Sequence, residues 1–296
     1  MNLSKRIGCV STVVLALGCG GGNPKGLDDF LPATPAPDGS AQAVWAGQIT
    51  AANTDELIDG PARSGLVGDF FIRNAKGRYV IQAAARSIAV LPYGGTVIDA
   101  VARDANGNDL SEDHLGELGM LYLVGRTCAH DTVEVVQDGS GGGAAVVRAR
   151  GRSAINDYIN LNGMGVAILN FPPEILPENE DSIECATTYV LRPDAPNLEV
   201  AWTLFNPLAT REIVGPFATF ADTGGVVSTF APGIGYYRLS LSDVASIVQD
   251  QVAPYTVIQG PNVAYGVFPH VEAPTPVGLV NLLGISVQIY GAKKLL

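Results

Sequence analysis

The stretch that most constrains the fold is residues 182–206, where two β-rich runs flank a turn rich in Pro and Asn. Residues of these types preset the backbone angles of turns or cap their own backbone. Along the second run, apolar side chains alternate with small or polar ones, which is typical of a strand with one face in a core. These apolar residues are Leu198, Val200, Trp202 and Leu204. We therefore predict a long antiparallel hairpin at the centre of a β-sandwich.

Short β-rich runs punctuated by Gly, Pro and Asn continue along most of the chain. Residues 69–73 and 79–84 predict one hairpin, and residues 132–137 and 144–149 predict another across a glycine-rich loop. Asp109 and Glu112 fit a capping box that would open a short helix through residue 118. The apolar tail at residues 277–290 alternates at Ile285, Val287 and Ile289, which predicts a closing strand. The predicted fold is all-β, a large antiparallel β-sandwich with few short helices.

The N-terminus has the features of a bacterial export signal. Lys5 and Arg6 precede an apolar run at residues 7–17, which is too short to span a bilayer. Residues 15–19, Leu-Ala-Leu-Gly-Cys, resemble the lipobox of bacterial lipoproteins, whose cysteine is lipidated and becomes the mature N-terminus. The resemblance implies lipidation of Cys19. An ordinary secretory signal cut nearby, with Cys19 incidental, is the alternative.

The composition divides the chain into three parts. Residues 1–18 are the predicted lipoprotein signal peptide, and residues 19–43 are a Gly-, Pro- and Asp-rich stretch that predicts a flexible tether. Residues 44–296 are predicted to form one large β-sandwich domain. Asp does not follow Cys19, and by resemblance to Gram-negative lipoproteins this implies an anchor in the cell envelope, at the outer membrane, facing the periplasm or the exterior.

The charge balance of the chain excludes some classes of partner. The formal net charge is −11, and no block of Lys or Arg is present. Loss of residues 1–18 would remove Lys5 and Arg6 and no acid, which makes the mature chain more acidic still. An acidic surface without a basic stripe repels phosphates, so nucleic acid is not an expected partner. The expected contact with the membrane is through the N-terminal lipid.

Two of the four cysteines remain for the folded part of the chain. Cys9 would leave with the signal and Cys19 would carry lipid, which leaves Cys128 and Cys185. In an exported protein such a pair predicts one disulfide. Two buried free thiols are the alternative for a domain large enough to stand without a covalent link.

Several segments resemble a known all-β domain of bacterial envelope proteins. Residues 81–87, 94–100, 135–151 and 189–206 look like the domain that precedes a PHP-type hydrolase domain in CehA-like proteins. The chain has three histidines and no His-x-His pair, so the resemblance implies the non-catalytic part, without a metal or another cofactor. The fold is also similar in style to the supersandwich of galactose-mutarotase-like proteins, which handle sugars.

Few residues form a pattern that is typical of a metal-binding or catalytic site. His114 and Glu117 have helical i, i+3 spacing, but two ligands make no metal site, and a solvated helix face is the simpler interpretation. His130 beside Asp131 could be a base with its orienting acid, although neighbours on a strand point to opposite faces. Residues 104–109 cluster oxygen ligands as calcium loops do, and an Asn-Gly turn explains them more simply.

Aromatic residues in the last third of the chain predict a binding surface. Sugar rings stack on flat aromatic faces, and Tyr236, Tyr237 and Tyr265 are the candidates, with Tyr255 and Phe268 nearby. Core packing is the alternative role for these rings. The sequence therefore favours a lipid-anchored envelope protein whose β-sandwich binds a glycan or an envelope protein, or serves as a scaffold. The alternative is a carbohydrate-active enzyme on the same fold.

Overall fold

The computed structural model describes most of the chain. The described residues are 8–17, 26–87, 91–122, 125–156, 182–207, 213–214, 217–222, 228–232, 235–237, 248–249, 255–260, 262–269, 276–282, 285–290 and 294–295. They form an all-β sandwich, as the alternation of apolar and polar residues predicts. The helical elements among these residues are two single-turn 3₁₀ helices, Leu27–Phe30 and Thr54–Glu56.

The strands are numbered in chain order. The first ten are β1 (Gly8–Leu17), β2 (Val44–Gln48), β3 (Phe70–Asn74), β4 (Gly77–Ile81), β5 (Val97–Ala102), β6 (Glu117–Tyr122), β7 (Arg126–Gln137), β8 (Ala145–Ile155), β9 (Glu184–Leu191) and β10 (Glu199–Phe205). The others are β11 (Ile213–Val214), β12 (Phe217–Asp222), β13 (Ser228–Ala231), β14 (Gly235–Tyr237), β15 (Val248–Gln249), β16 (Thr256–Gln259), β17 (Ala264–Pro269), β18 (Pro276–Leu282), β19 (Ile285–Tyr290) and β20 (Lys294–Leu295).

Two antiparallel meanders make the layers of the sandwich. Strands β2 to β5 pair in sequence, and strands β7 to β10 do the same. Single residue pairs join β6 to β5 and to β7. β2 and β3 lie against β7, β8 and β9, so apolar side chains from both layers meet in one core. Removing these side chains from water is the main source of stability in such a sandwich.

The central hairpin is confirmed as β9 and β10, with Trp202 opposite Thr187. Its predicted inward face, which includes Tyr189 and Trp202, belongs to the main core. The other face is buried as well: Thr188 is 1% exposed and Thr203 is 0% exposed. β8 covers one edge of the hairpin and β1 covers the other. The hairpin is therefore an interior element, whereas its alternation indicated one buried face.

Two N-terminal segments, within the predicted export signal and the predicted tether, have defined positions in the structure. Gly8–Leu17 forms β1, which lies parallel to β10 and β17. Residues 26–43 lie against the sandwich. Leu27 is buried, Phe30 stacks on Phe205 with 5.7 Å between ring centroids, and the Gly39 amide donates to the Gly141 carbonyl. The apolar side chains of this segment gain from covering the core edge.

The predicted short helix at residues 109–118 is wrong. The segment is irregular until β6 begins at Glu117. Asp109, the predicted cap, pairs through its carboxylate with Arg78 instead of capping a helix. The neighbouring Asp113 carboxylate accepts hydrogen bonds from the amides of Ala100 and Leu115. Contacts with residues distant in sequence therefore override the local capping pattern.

Two predicted hairpins agree with the structure. β3 with β4 and β7 with β8 are the two predicted hairpins. The tail forms two strands, β18 and β19, which pair as a hairpin where one closing strand was predicted. β19 and β6 both pair with β12, which joins the tail to the rest of the sheet. Within the described ranges, no helix is long and apolar enough to cross a membrane.

Candidate functional site

Four aromatic rings form a continuous cluster on the strands of the last third, and we call it the aromatic patch. It consists of Phe230, Tyr236, Tyr255 and Phe268. Adjacent ring centroids lie 5.1 to 6.5 Å apart, which is the range of favourable aromatic pairs. Tyr236 is 65% exposed, and the other three rings are partly buried. The patch therefore consists of one exposed ring, that of Tyr236, and three partly buried rings.

Strand register brings these rings together. Phe230 on β13 lies directly opposite Tyr236 on β14. β13 also pairs with β16, and Tyr255 immediately precedes β16. β16 pairs in turn with β17, which carries Phe268. Directly opposed residues on neighbouring strands have close Cβ atoms, so the pairing itself builds the cluster.

Of the three tyrosines predicted to bind ligand, Tyr236 is exposed and lies in the patch. Tyr265 does not fit the predicted role, because it is 2% exposed. Tyr265 and Phe268 are three positions apart on β17, and side chains at odd spacing point to opposite faces of a strand. Burial raises the pKa of the Tyr265 hydroxyl. The side chain of Tyr237 lies outside the described residues, as does Cys19.

The predicted disulfide is confirmed between Cys128 on β7 and Cys185 on β9, with Cα atoms 6.0 Å apart. Both cysteines belong to the main core. β7 and β9 are the two neighbours of β8, so the bond links strands on either side of it. A bond of this kind fits an oxidising compartment.

A polar cleft of about 460 Å³ lies on another part of the molecule. Four carboxylates, two guanidinium groups, two hydroxyl side chains and one leucine line it: Asp55, Asp59, Asp109, Glu112, Arg63, Arg78, Thr54, Ser111 and Leu57. Its walls come from the connection between β2 and β3, from the connection between β5 and β6, and from Arg78 on β4. The volume falls in the range of small-molecule sites.

Both guanidinium groups of the polar cleft are already paired. Arg63 donates to Asp59 at 2.7 Å, and Arg78 donates to Asp109. Arg78 also donates to the main-chain carbonyl of Asp55. Within the described part of the chain, the carboxylates of Asp55 and Glu112 have no recorded ion pair, so the cleft has an excess of negative charge.

His130, a candidate base, has a structural role. Its Nδ1 donates to the Gly94 carbonyl at 2.7 Å, and the Thr187 hydroxyl donates to its Nε2 at 3.1 Å. Burial lowers the pKa of His130 to about 4, so the ring is neutral near pH 7. Asp131 is exposed while His130 is buried, so the two do not form the pair that their adjacency in sequence could provide.

The other candidate ligand sets also hold the fold together. Glu117 is fully buried and accepts hydrogen bonds from the Leu91 amide and the Thr96 hydroxyl. Asp104 accepts from the amides of Asn106 and Asn108 around Gly107, which has a φ of +81°, so residues 104–109 form the simpler Asn-Gly turn. Among the residues described, no group of three or more His, Cys, Asp or Glu side chains could hold a metal ion.

Sequence reasoning did not find the polar cleft or the buried aspartates beside it. Asp99 stands alone in the apolar run of β5, which is a local signal of a buried polar group. The cleft has no such signal, because its walls come from segments distant in sequence. Comparison with protein-family models, curated proteins and solved structures finds no match for this chain.

Proposed function

We propose that this protein is a lipid-anchored protein of the cell envelope whose β-sandwich binds a neutral or cationic glycan through the aromatic patch. The observation that carries the proposal is the exposure of Tyr236, 65%, on a cluster of three further rings. Flat aromatic faces bind the apolar faces of sugar rings. The lipobox-like segment ending at Cys19 supports the lipid anchor, and the disulfide supports export.

Charge supports the choice of glycan class. The chain has a net charge of −11, so sulfated or phosphorylated sugars would be repelled at close range. Each ring contact contributes on the order of 1 kcal/mol, so a few contacts give dissociation constants in roughly the micromolar to millimolar range. A protein partner in the envelope, contacted through the same patch, is the other outcome of the test.

A titration with neutral envelope oligosaccharides, followed by NMR or calorimetry, tests the proposal. We expect saturable binding that weakens about fivefold or more in Tyr236→Ala, since loss of about 1 kcal/mol corresponds to such a factor. Leu66→Ala is the matched control, because Leu66 is 56% exposed and lies in the connection between β2 and β3, outside the aromatic patch. Absence of binding at millimolar glycan, or an equal loss in both variants, would contradict glycan recognition by the patch.

The anchor is tested separately. Metabolic labelling with palmitate should mark the wild-type chain and not Cys19→Ala, because the lipobox resemblance assigns the acylated thiol to that position. Label that persists in the variant would refute lipidation of Cys19 without affecting the glycan result.

The polar cleft favours one second candidate, a carbohydrate-active enzyme. Glycoside hydrolysis uses two carboxylates that flank the scissile bond, and Asp55 and Glu112 are the cleft carboxylates that form no ion pair with any residue the structure describes. Release of reducing ends from an oligosaccharide, abolished in both Asp55→Asn and Glu112→Gln, would establish this function. Activity unchanged in both variants would exclude this cleft as the catalytic site.

A further inference from the structure

Residues 59–65, which we call the clasp loop, are held by hydrogen bonds to two buried aspartates. Asp99 on β5 accepts from the amides of Ser64 at 2.8 Å and Gly65 at 2.9 Å. The main chain of Asp113 donates to the Asp59 carbonyl at 2.9 Å and accepts from the Ala62 amide at 3.3 Å. Asp59 and Arg63 line the polar cleft, so the clasp loop is one of its walls.

The carboxyl group of Asp113 is buried with one oxygen unsatisfied. Its Oδ1 accepts from the amides of Ala100 at 2.9 Å and Leu115 at 3.1 Å, and lies 3.4 Å from the Tyr265 hydroxyl. Its Oδ2 has no hydrogen-bond partner in the described structure. Asp99 and Asp113 are both 0% exposed. An ionised carboxylate with an unpaired buried oxygen is costly, whereas a protonated one is much less so.

The charged surroundings do not neutralise the two aspartates. Asp99 feels an unfavourable charge from Asp69 and a favourable one from Arg63, and Asp113 feels an unfavourable charge from Asp99. Asp69 is itself paired with Arg86, and Arg63 with Asp59. The titratable and charged groups packed around the pair are Asp59, Arg63, Asp69, Arg86, Glu112, His114 and Tyr265.

Burial is the largest cause of the shifted ionisation of both groups, and it outweighs the hydrogen bonds from backbone amides, which favour the ionised form of each carboxyl. It raises the pKa of Asp99 to about 6 and the pKa of Asp113 to about 7, from an ordinary value of 3.8. A local opening that brings either carboxyl into water would return its pKa towards the ordinary value. The equilibrium constant for such an opening then rises as the pH rises from about 4 to the closed-state pKa, and is constant above it.

We propose that Asp99 and Asp113 form a pH-sensitive clasp, which holds the clasp loop against the sandwich in acid and loosens it as the pH rises towards neutrality. The clasp is independent of the ligand of the aromatic patch. It makes the geometry of one wall of the polar cleft depend on pH.

Two close backbone contacts couple the clasp loop to these aspartates. A Cβ atom on Gly60 would lie 2.3 Å from the Asp113 amide nitrogen, and one on Gly65 would lie 2.5 Å from Asp99 Oδ2. The loop backbone therefore lies directly on the clasp. The Asp99 carboxyl acts on the loop amides directly, whereas Asp113 contacts the loop through its main chain.

Amide hydrogen exchange of the full chain between pH 5 and pH 8, corrected for intrinsic exchange rates, tests the proposal. We expect the opening constants of the Ser64 and Gly65 amides to rise up to a hundredfold per pH unit between pH 5 and 6, where both carboxyls ionise on opening, to rise up to tenfold between pH 6 and 7, and to level off above pH 7. The Val147 amide on β8 serves as the reference for global opening. Protection of Ser64 and Gly65 that does not change with pH would overturn the clasp.

Asp113→Asn, which keeps a neutral side chain of the same shape, should abolish the rise of the opening constants between pH 6 and 7, because only Asp99, with a pKa of about 6, then still titrates. Asp131→Asn, at an exposed carboxylate on β7, is the matched control and should leave it unchanged. An equal slope in wild type and Asp113→Asn would contradict the proposal. Carbon-13 NMR of the Asp99 and Asp113 carboxyl groups in the wild type gives a test without mutation: their titration must span the same pH range as the loop opening, and a mismatch would refute the clasp.

Discussion

Gly60 illustrates how single residues set the packing of this molecule. The clasp loop passes so close to Asp113 that a Cβ on Gly60 would lie 2.3 Å from both its amide nitrogen and its carbonyl oxygen. Both atoms belong to the main chain, so no side-chain rotation can relieve the contact. Glycine is the residue whose size permits this approach.

We therefore expect Gly60→Ala to lower the free energy of unfolding by about 1–3 kcal/mol, through displacement of the clasp loop from Asp113. Gly26→Ala is the matched control, because a Cβ there has open space and its φ of −83° suits alanine. It should change stability by less than about 0.5 kcal/mol. Urea denaturation followed by circular dichroism measures both, and equal stabilities of the two variants would be inconsistent with the contact.

At the scale of the elements, the disulfide links β7 to β9, and both of these strands pair with β8. Cys128 lies opposite Ser153, and Cys185 lies opposite Gly151, both on β8. The two cysteines are 57 positions apart in sequence. The bond therefore limits a long loop in the unfolded chain as well as linking β7 to β9 in the folded one.

In a chain-entropy model, closing a loop of this length stabilises the fold by about 4 kcal/mol. We expect the free energy of unfolding of the double variant Cys128→Ala and Cys185→Ala to be lower by about 4 kcal/mol, as measured by chemical denaturation under oxidising conditions. Wild type with a reductant in the buffer should approach the stability of the double variant. A reductant effect of the same size in the double variant would show that the loss has another cause.

At the scale of the whole molecule, buried ionisable groups set the pH dependence of stability. Asp99 and Asp113 have raised pKa values of about 6 and about 7, so their contribution is fully present below about pH 4 and is lost as the pH rises to those values. His130 has a pKa lowered to about 4, so its contribution is present above about 6.5 and is lost as the pH falls from there. Between pH 4.5 and 6, Asp99 and Asp113 therefore lower the free energy of unfolding as the pH rises, and His130 raises it.

We expect the free energy of unfolding to fall by about 1 kcal/mol per pH unit as the pH rises from 4.5 to 6, since one net proton is released. In Asp113→Asn the contributions of Asp99 and His130 nearly cancel, so its profile should be almost flat in this interval. Thermal and urea unfolding at several pH values measure both. Stability that rises with pH across this interval in the wild type would contradict the assignment of the two aspartates.

Local patterns were enough to predict the strands and the tight turns. Alternation of side chains predicted β9 and β10, and turn residues predicted the hairpins of β3 with β4 and of β7 with β8. The pairing of Cys128 with Cys185 followed from counting the cysteines that lie outside the predicted export signal and the predicted lipidation site. These properties depend on residues close in sequence or on composition, so they can be read without knowledge of the topology.

Only the tertiary structure decided which faces are covered and which polar groups meet. The second face of the central hairpin is buried by other parts of the chain, and Asp109 pairs with Arg78 instead of capping a helix. Tyr236 and Tyr265 share a residue type and a region, yet one is exposed and the other buried, because strand pairing sets the face that each presents. Burial and hydrogen-bond partners between distant segments arise from the topology, and local spacing carries no information about them.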